Sequence, residues 1–99
     1  MNCFYCNGQM KRSGKWCETV DHVYPQWMIA AWPNMGSDWR RMNKVKACRR
    51  CNAQKGSMHP IDWLAVMPGG HGEANRFAAL LAQLGTAADV IAVALSRRA

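Results

Sequence analysis

Two Cys-x-x-Cys pairs, Cys3 with Cys6 and Cys48 with Cys51, constrain this chain more than any other feature. A turn of this kind brings two thiolates within reach of one Zn²⁺, and two such turns complete a tetrahedral four-sulfur site. In a chain of 99 residues the hydrophobic core is thin, so a metal staple adds materially to stability. The pairs predict one structural zinc site tying the N-terminus to the middle of the chain. The stretch between them, residues 7–47, is longer than a minimal zinc ribbon needs, and it carries Asp21-His22.

Cys17 is the odd thiol, and a core position suits it better than a fifth ligand. The chain opens on Met1-Asn2-Cys3, without the basic start and apolar run of a signal peptide. Metal thiolates in a reducing, cytoplasmic setting are therefore expected rather than disulfides. The most apolar segment, Val90 to Leu95, is far too short to cross a membrane.

In chain order, Gly8 is expected to take a positive φ that lets backbone amides approach the first two sulfurs. Trp16 to Val20 reads as a short strand delivering Asp21 and His22 at its end. Gln26 to Trp32 reads as an amphipathic turn or apolar loop, broken by Pro33-Asn34-Met35-Gly36-Ser37. Trp27, Trp32 and Trp39 are expected to serve as core or loop packing. Asn43 to Ala47 alternates apolar and basic residues, which predicts a half-buried strand showing Lys44 and Lys46 outward. A short helix should follow Cys51, with Asn52 and Lys55 near its N-terminus, where free amides favour an anion, and Gly56-Ser57 should end it.

Pro60 suits the first turn of a helix over Ile61 to Met67, stopped by Pro68-Gly69-Gly70. His59 suits a capping or surface role there, and His71 a solvated place in a Gly-rich linker. Phe77, Leu80, Leu81 and Leu84 then fall at helical spacing, with Gly85 as C-cap and Thr86 opening a second helix toward Arg98. Such a hairpin fits packing on the zinc module and fits a homodimer contact equally. The fold class is α+β: a zinc-stapled module over residues 1–67, followed by a helical hairpin over residues 73–98.

Thirteen Lys and Arg against six Asp and Glu give a net charge of +7. Seven of those cations, Arg40, Arg41, Lys44, Lys46, Arg49, Arg50 and Lys55, lie in an acid-free run from 40 to 55. A merely solvated face mixes signs, so this run points to a polyanion and makes these residues phosphate-contact candidates.

The ordered set Cys-x-x-Cys, Asp-His-x-x-Pro and Asn-x-x-x-x-Cys-x-x-Cys-Asn-x-x-Lys resembles the HNH endonucleases, the zinc-containing branch of the ββα-metal nucleases. The likeness covers Cys3 to Ser57 and omits the last forty residues. It implies a treble-clef-like module in which His22 is the general base that activates water against a phosphodiester. Asp21 matches a ligand of the catalytic cation, and Asn43 matches the middle signature residue, which steadies the loop carrying the histidine. Asn52 matches the last position, often histidine in the family, and as a neutral hard ligand it suits Mg²⁺ or Mn²⁺. The family also includes compact proteins of phage and mobile elements, so a partner protein of that kind is a further possibility for the hairpin.

The chemistry is sound on its own terms. Phosphodiester cleavage needs a base that is neutral near physiological pH and a cation to offset charge building on phosphate and leaving oxygen. Activity rising from about pH 6 to about pH 8 is the expectation. Two functions stay open: a metal-dependent nuclease acting on DNA, and a non-catalytic, zinc-finger-like module that grips nucleic acid through its phosphates.

Overall fold

Thr19 and Val20, both β-branched, favour extended backbone, and with their neighbours they form β1, Glu18–His22. This strand pairs antiparallel with β2, Lys44–Cys48, placing Glu18 opposite Cys48, Asp21 opposite Val45 and His22 opposite Lys44. The computed structural model describes residues 1–98 and shows an α+β fold built on this two-stranded sheet. Asp21 and His22 are the last two residues of β1 rather than residues beyond it. Trp16, expected to begin the strand, instead closes a 3₁₀ turn over Gly14–Trp16.

Between the strands lie α1, Gln26–Ile29, and α2, Ser37–Met42. The second was not foreseen, because its sequence Ser-Asp-Trp-Arg-Arg-Met shows no apolar period and only Trp39 and Met42 are half-buried. After β2 the chain turns directly into α3, Arg49–Lys55. Cys48 ends the strand and caps the helix, its Sγ accepting from Cys51 N–H at 3.4 Å. The helix thus starts before Cys51, which places Asn52 mid-helix and Lys55 at its last residue, not near its N-terminus.

His59 caps α4, Pro60–Val66, with Nδ1 accepting from Ile61 N–H at 3.1 Å. The hairpin is α5, His71–Leu84, and α6, Ala88–Ser96. His71 is therefore the first residue of a helix and not part of the linker. Gly85 takes the left-handed conformation at φ 108° that ends α5. Thr86 does not cap α6, whose cap position is Ala87; its hydroxyl bonds the Tyr24 hydroxyl instead.

The hairpin folds back on the cysteine module. Ala74, Phe77, Ala78 and Leu81 bury one face of α5, and Phe77 meets Tyr5 edge to face at 5.3 Å, with Trp63 on Tyr5 at 5.4 Å. Arg76 reaches back to donate to Phe4 O at 2.6 Å, its guanidinium 4.6 Å from the Phe4 ring centre. Arg98 closes the far end, donating to the carbonyls of Leu64 in the last turn of α4 and of Met67 and Gly69 just past it. Gly69 is required where it stands, since a Cβ there would collide with the Tyr5 carbonyl. Among the described residues no helix is long and apolar enough to cross a membrane.

Candidate metal centre and adjoining cleft

The Sγ atoms of Cys3, Cys6, Cys48 and Cys51 lie within 4.8 Å of one another, a group that can hold a metal ion. Cys6 and Cys48 sulfurs are 3.9 Å apart, close to the edge of a tetrahedron whose centre is about 2.3 Å from each corner. Backbone amides point at the sulfurs: Tyr5 N–H to Cys3, Gly8 N–H to Cys6 and Cys51 N–H to Cys48, each at 3.4 Å. The positive φ of the first turn belongs to Asn7, at 61°, and not to Gly8. Gly8 is needed for another reason, because a Cβ there would sit 2.7 Å from the Trp16 ring.

Crowding four thiols together splits their proton affinities. The hydrogen bond from Cys51 holds Cys3 down to about 4, while the same pairing pushes Cys51 up and burial pushes Cys6 up. One thiolate opposes ionisation of the next, and a divalent cation at the centre reverses that opposition. Cys17 stands outside this group. It is half-buried rather than a core residue, its thiol turned to the Arg12 carbonyl at 3.5 Å.

From the knuckle, Tyr5 extends to the sheet. Its hydroxyl donates to Asp21 Oδ2 at 2.6 Å, and Lys55 Nζ reaches the same oxygen at 3.2 Å and the His22 carbonyl at 2.8 Å. Burial, and then the Asp21 charge, push the Tyr5 hydroxyl well above its ordinary value, so it remains a donor. Burial lowers Lys55, and the Asp21 carboxylate opposes that shift. Lys55 is therefore not a phosphate contact: at 2% exposure it is the buried counter-charge of Asp21. Among the described residues Oδ1 of Asp21 carries no hydrogen bond, and Asp21 lines a cleft of about 310 Å³ together with His22 and Asn52.

Alternation along β1 sends Asp21 and His22 to opposite faces, and both residues nevertheless line the cleft beside Asn52. Asn52 faces β1 from α3, its amide donating to Thr19 Oγ1 at 2.9 Å, while that hydroxyl donates to Ala47 O at 2.7 Å. Asn43 is fully buried and brackets Tyr24, accepting from its N–H at 2.8 Å and donating to its carbonyl at 3.1 Å. Its own carbonyl accepts from Val23 N–H at 2.8 Å. The two residues after His22 are thus held by one side chain and its backbone.

No protein-family model, curated protein or solved structure matches this chain.

The remaining cations divide by surroundings. Arg40 and Lys44 are exposed and line a second cleft with His22. Lys46 is exposed but paired with Glu18 at 3.1 Å, and Arg41 lies 3.6 Å from Asp38. Arg49 is exposed, whereas Arg50 is half-buried with its guanidinium 4.6 Å from the centre of the Trp16 ring. Sequence reasoning missed Tyr5 as a partner of Asp21, since an aromatic inside a cysteine turn reads as packing. It also placed Trp27 in packing, although Trp27 is 62% exposed on the rim of the Asp21 cleft. Trp32 and Trp39 do pack, around Tyr24.

Proposed function

We propose that this chain is a metal-dependent endonuclease of the HNH, ββα-metal kind that hydrolyses DNA phosphodiester bonds. The observation that carries the reading is that Asp21, His22 and Asn52 line one cleft, beside a four-cysteine group suited to structural Zn²⁺. His22 acts as general base, taking a proton from the attacking water. Asn43 keeps the chain beyond His22 in one conformation, so the imidazole is presented from a fixed backbone. Asp21 Oδ1 and the Asn52 amide oxygen are hard oxygen donors, and these would hold Mg²⁺ or Mn²⁺. When bound, that cation offsets charge on the phosphate and the leaving oxygen. Arg40 and Lys44, exposed in the neighbouring cleft that shares His22, and Arg49, exposed on α3, suit the phosphates of the substrate.

One observation favours the second reading, a zinc-dependent nucleic-acid-binding module without catalysis. Oδ2 of Asp21 is committed to Tyr5 and Lys55, the pattern of a structural carboxylate. Supercoiled plasmid incubated with wild type and His22→Ala, each in Mg²⁺, Mn²⁺ or EDTA, separates the two. Nicking that needs added cation and disappears in the variant, with zinc content unchanged, supports the nuclease. DNA retained on both proteins without cleavage under any cation supports the binding module.

A further inference from the structure

His22 and Gln26 form a ridge shared by two clefts of opposite character. On one side lie Asp21, Asn52 and the exposed indole of Trp27. On the other, Ile29, Pro33, Arg40 and Lys44 line a cavity of about 490 Å³, within the size range of small-ligand pockets, with no acidic residue in its wall. Lys44 stands directly across the sheet from His22, so their side chains share a face. Trp27 is tethered as well as exposed: its Nε1 donates to Ser57 O at 3.2 Å while the residue stays 62% exposed. A held, exposed indole on one flank and a basic cavity with apolar walls on the other are the two parts of a single-strand binding path: stacking for a base, cations for the backbone. Duplex DNA keeps its bases stacked inside the helix and offers neither cleft a free base face.

We propose that this ridge binds an unpaired DNA strand, with one base stacked on Trp27 and the adjoining phosphate and nucleotide seated against Arg40 and Lys44 in the larger cleft. The inference rests on the nuclease reading for its position but names a substrate class that reading leaves open. Its test is binding, measured apart from cleavage. Zinc-loaded wild-type protein without Mg²⁺ or Mn²⁺ is titrated into a fluorescent oligonucleotide of about 12 nucleotides, single-stranded or annealed to its complement, and anisotropy is followed between about 50 and about 200 mM salt.

The expected result is tighter binding of the single strand, weakened about tenfold by Trp27→Ala and restored largely by Trp27→Phe. Arg40→Ala with Lys44→Ala should reduce the slope of log affinity against log salt by about 1.4, the share of two phosphate contacts on single strands. Equal or tighter binding of the duplex overturns the proposal, as does a Trp27→Ala protein that loses single-strand and duplex affinity alike, or no affinity for either form. Plasmid cleavage together with duplex preference removes the strand proposal alone. Single-strand binding lost in Trp27→Ala, with neither plasmid nor single-strand cleavage by the wild type in Mg²⁺ or Mn²⁺, removes the nuclease reading alone.

Discussion

The Tyr5 hydroxyl and Asp21 Oδ2 are joined at 2.6 Å, so one of the two residues between Cys3 and Cys6 also helps fix the carboxylate beside His22. The cysteine group and the cleft are one mechanical unit. Tyr5→Phe preserves the ring that packs on Trp63 and Phe77 and deletes only the hydroxyl. It should cost about 1.5–3 kcal/mol, the range for a hydrogen bond to a charged group, and, under the proposed nuclease function, lower plasmid nicking severalfold with metal content unchanged. Urea melting beside a zinc assay and a nicking assay measures all three.

Lys55 and Lys46 are both paired to acids, in opposite surroundings. Lys55 is buried against Asp21 and Lys46 is exposed against Glu18. Lys55→Met leaves a buried carboxylate without its counter-charge and should destabilise the protein by about 3–5 kcal/mol. Lys46→Met should change stability by no more than about 1 kcal/mol. Comparable urea midpoints for the two variants would show that the Asp21 pair is not buried in solution.

Metal removal should act on the fold before it acts on any chemistry. Tyr5 sits in the cysteine turn and forms the centre of the contact with α4 and α5, so releasing the turn loosens both helices. With metal bound, one thiol, Cys17, should react readily with an aromatic disulfide reagent, and four more should follow only after a strong zinc chelator is added. Circular dichroism recorded during chelation should lose helical signal in step with the newly reactive thiols. Five equally reactive thiols at the outset would remove the metal centre from the account.

Arg98 gives a local test of how the hairpin is held. Its guanidinium gathers three carbonyls at and beyond the end of α4: Leu64 in the last turn, whose carbonyl the helix leaves without a partner, then Met67 and Gly69. Arg98→Ala should cost about 2–3 kcal/mol, and amide exchange should quicken in Ala88–Ser96 and around Gly69 before it does in β1. Uniform quickening across the chain would place the loss in global stability instead.

Much of this was legible because the signals were local and redundant. Two identical cysteine spacings imply one convergence point, and four apolar residues at helical spacing around Phe77 imply a packed helix. Asn43 was legible only through its place in a motif. What the sequence concealed were properties created by contact. A lysine reads as surface until a buried carboxylate, brought from residue 21, explains Lys55. A tryptophan reads as core until Ser57 is seen to tether Trp27 by its nitrogen while most of the residue stays exposed. The six residues of α2 carry only one apolar pair at helical spacing, Trp39 and Met42, too short a pattern to read; Trp39, donating to the Leu84 carbonyl at 3.1 Å, ties that helix to the hairpin.

The alternation of β1 has a consequence for how such a site could be changed. Asp21 belongs to the face backed by Tyr5, Lys55 and α3, whereas His22 looks onto the face shared with Lys44 and α2. If the proposed function holds, substitutions behind the strand would retune cation preference while the approach path stayed as it is, and substitutions in front would alter which strand is admitted while the cation's ligands stayed in place. Metal choice and substrate choice would then be separable traits, written on two sides of five residues.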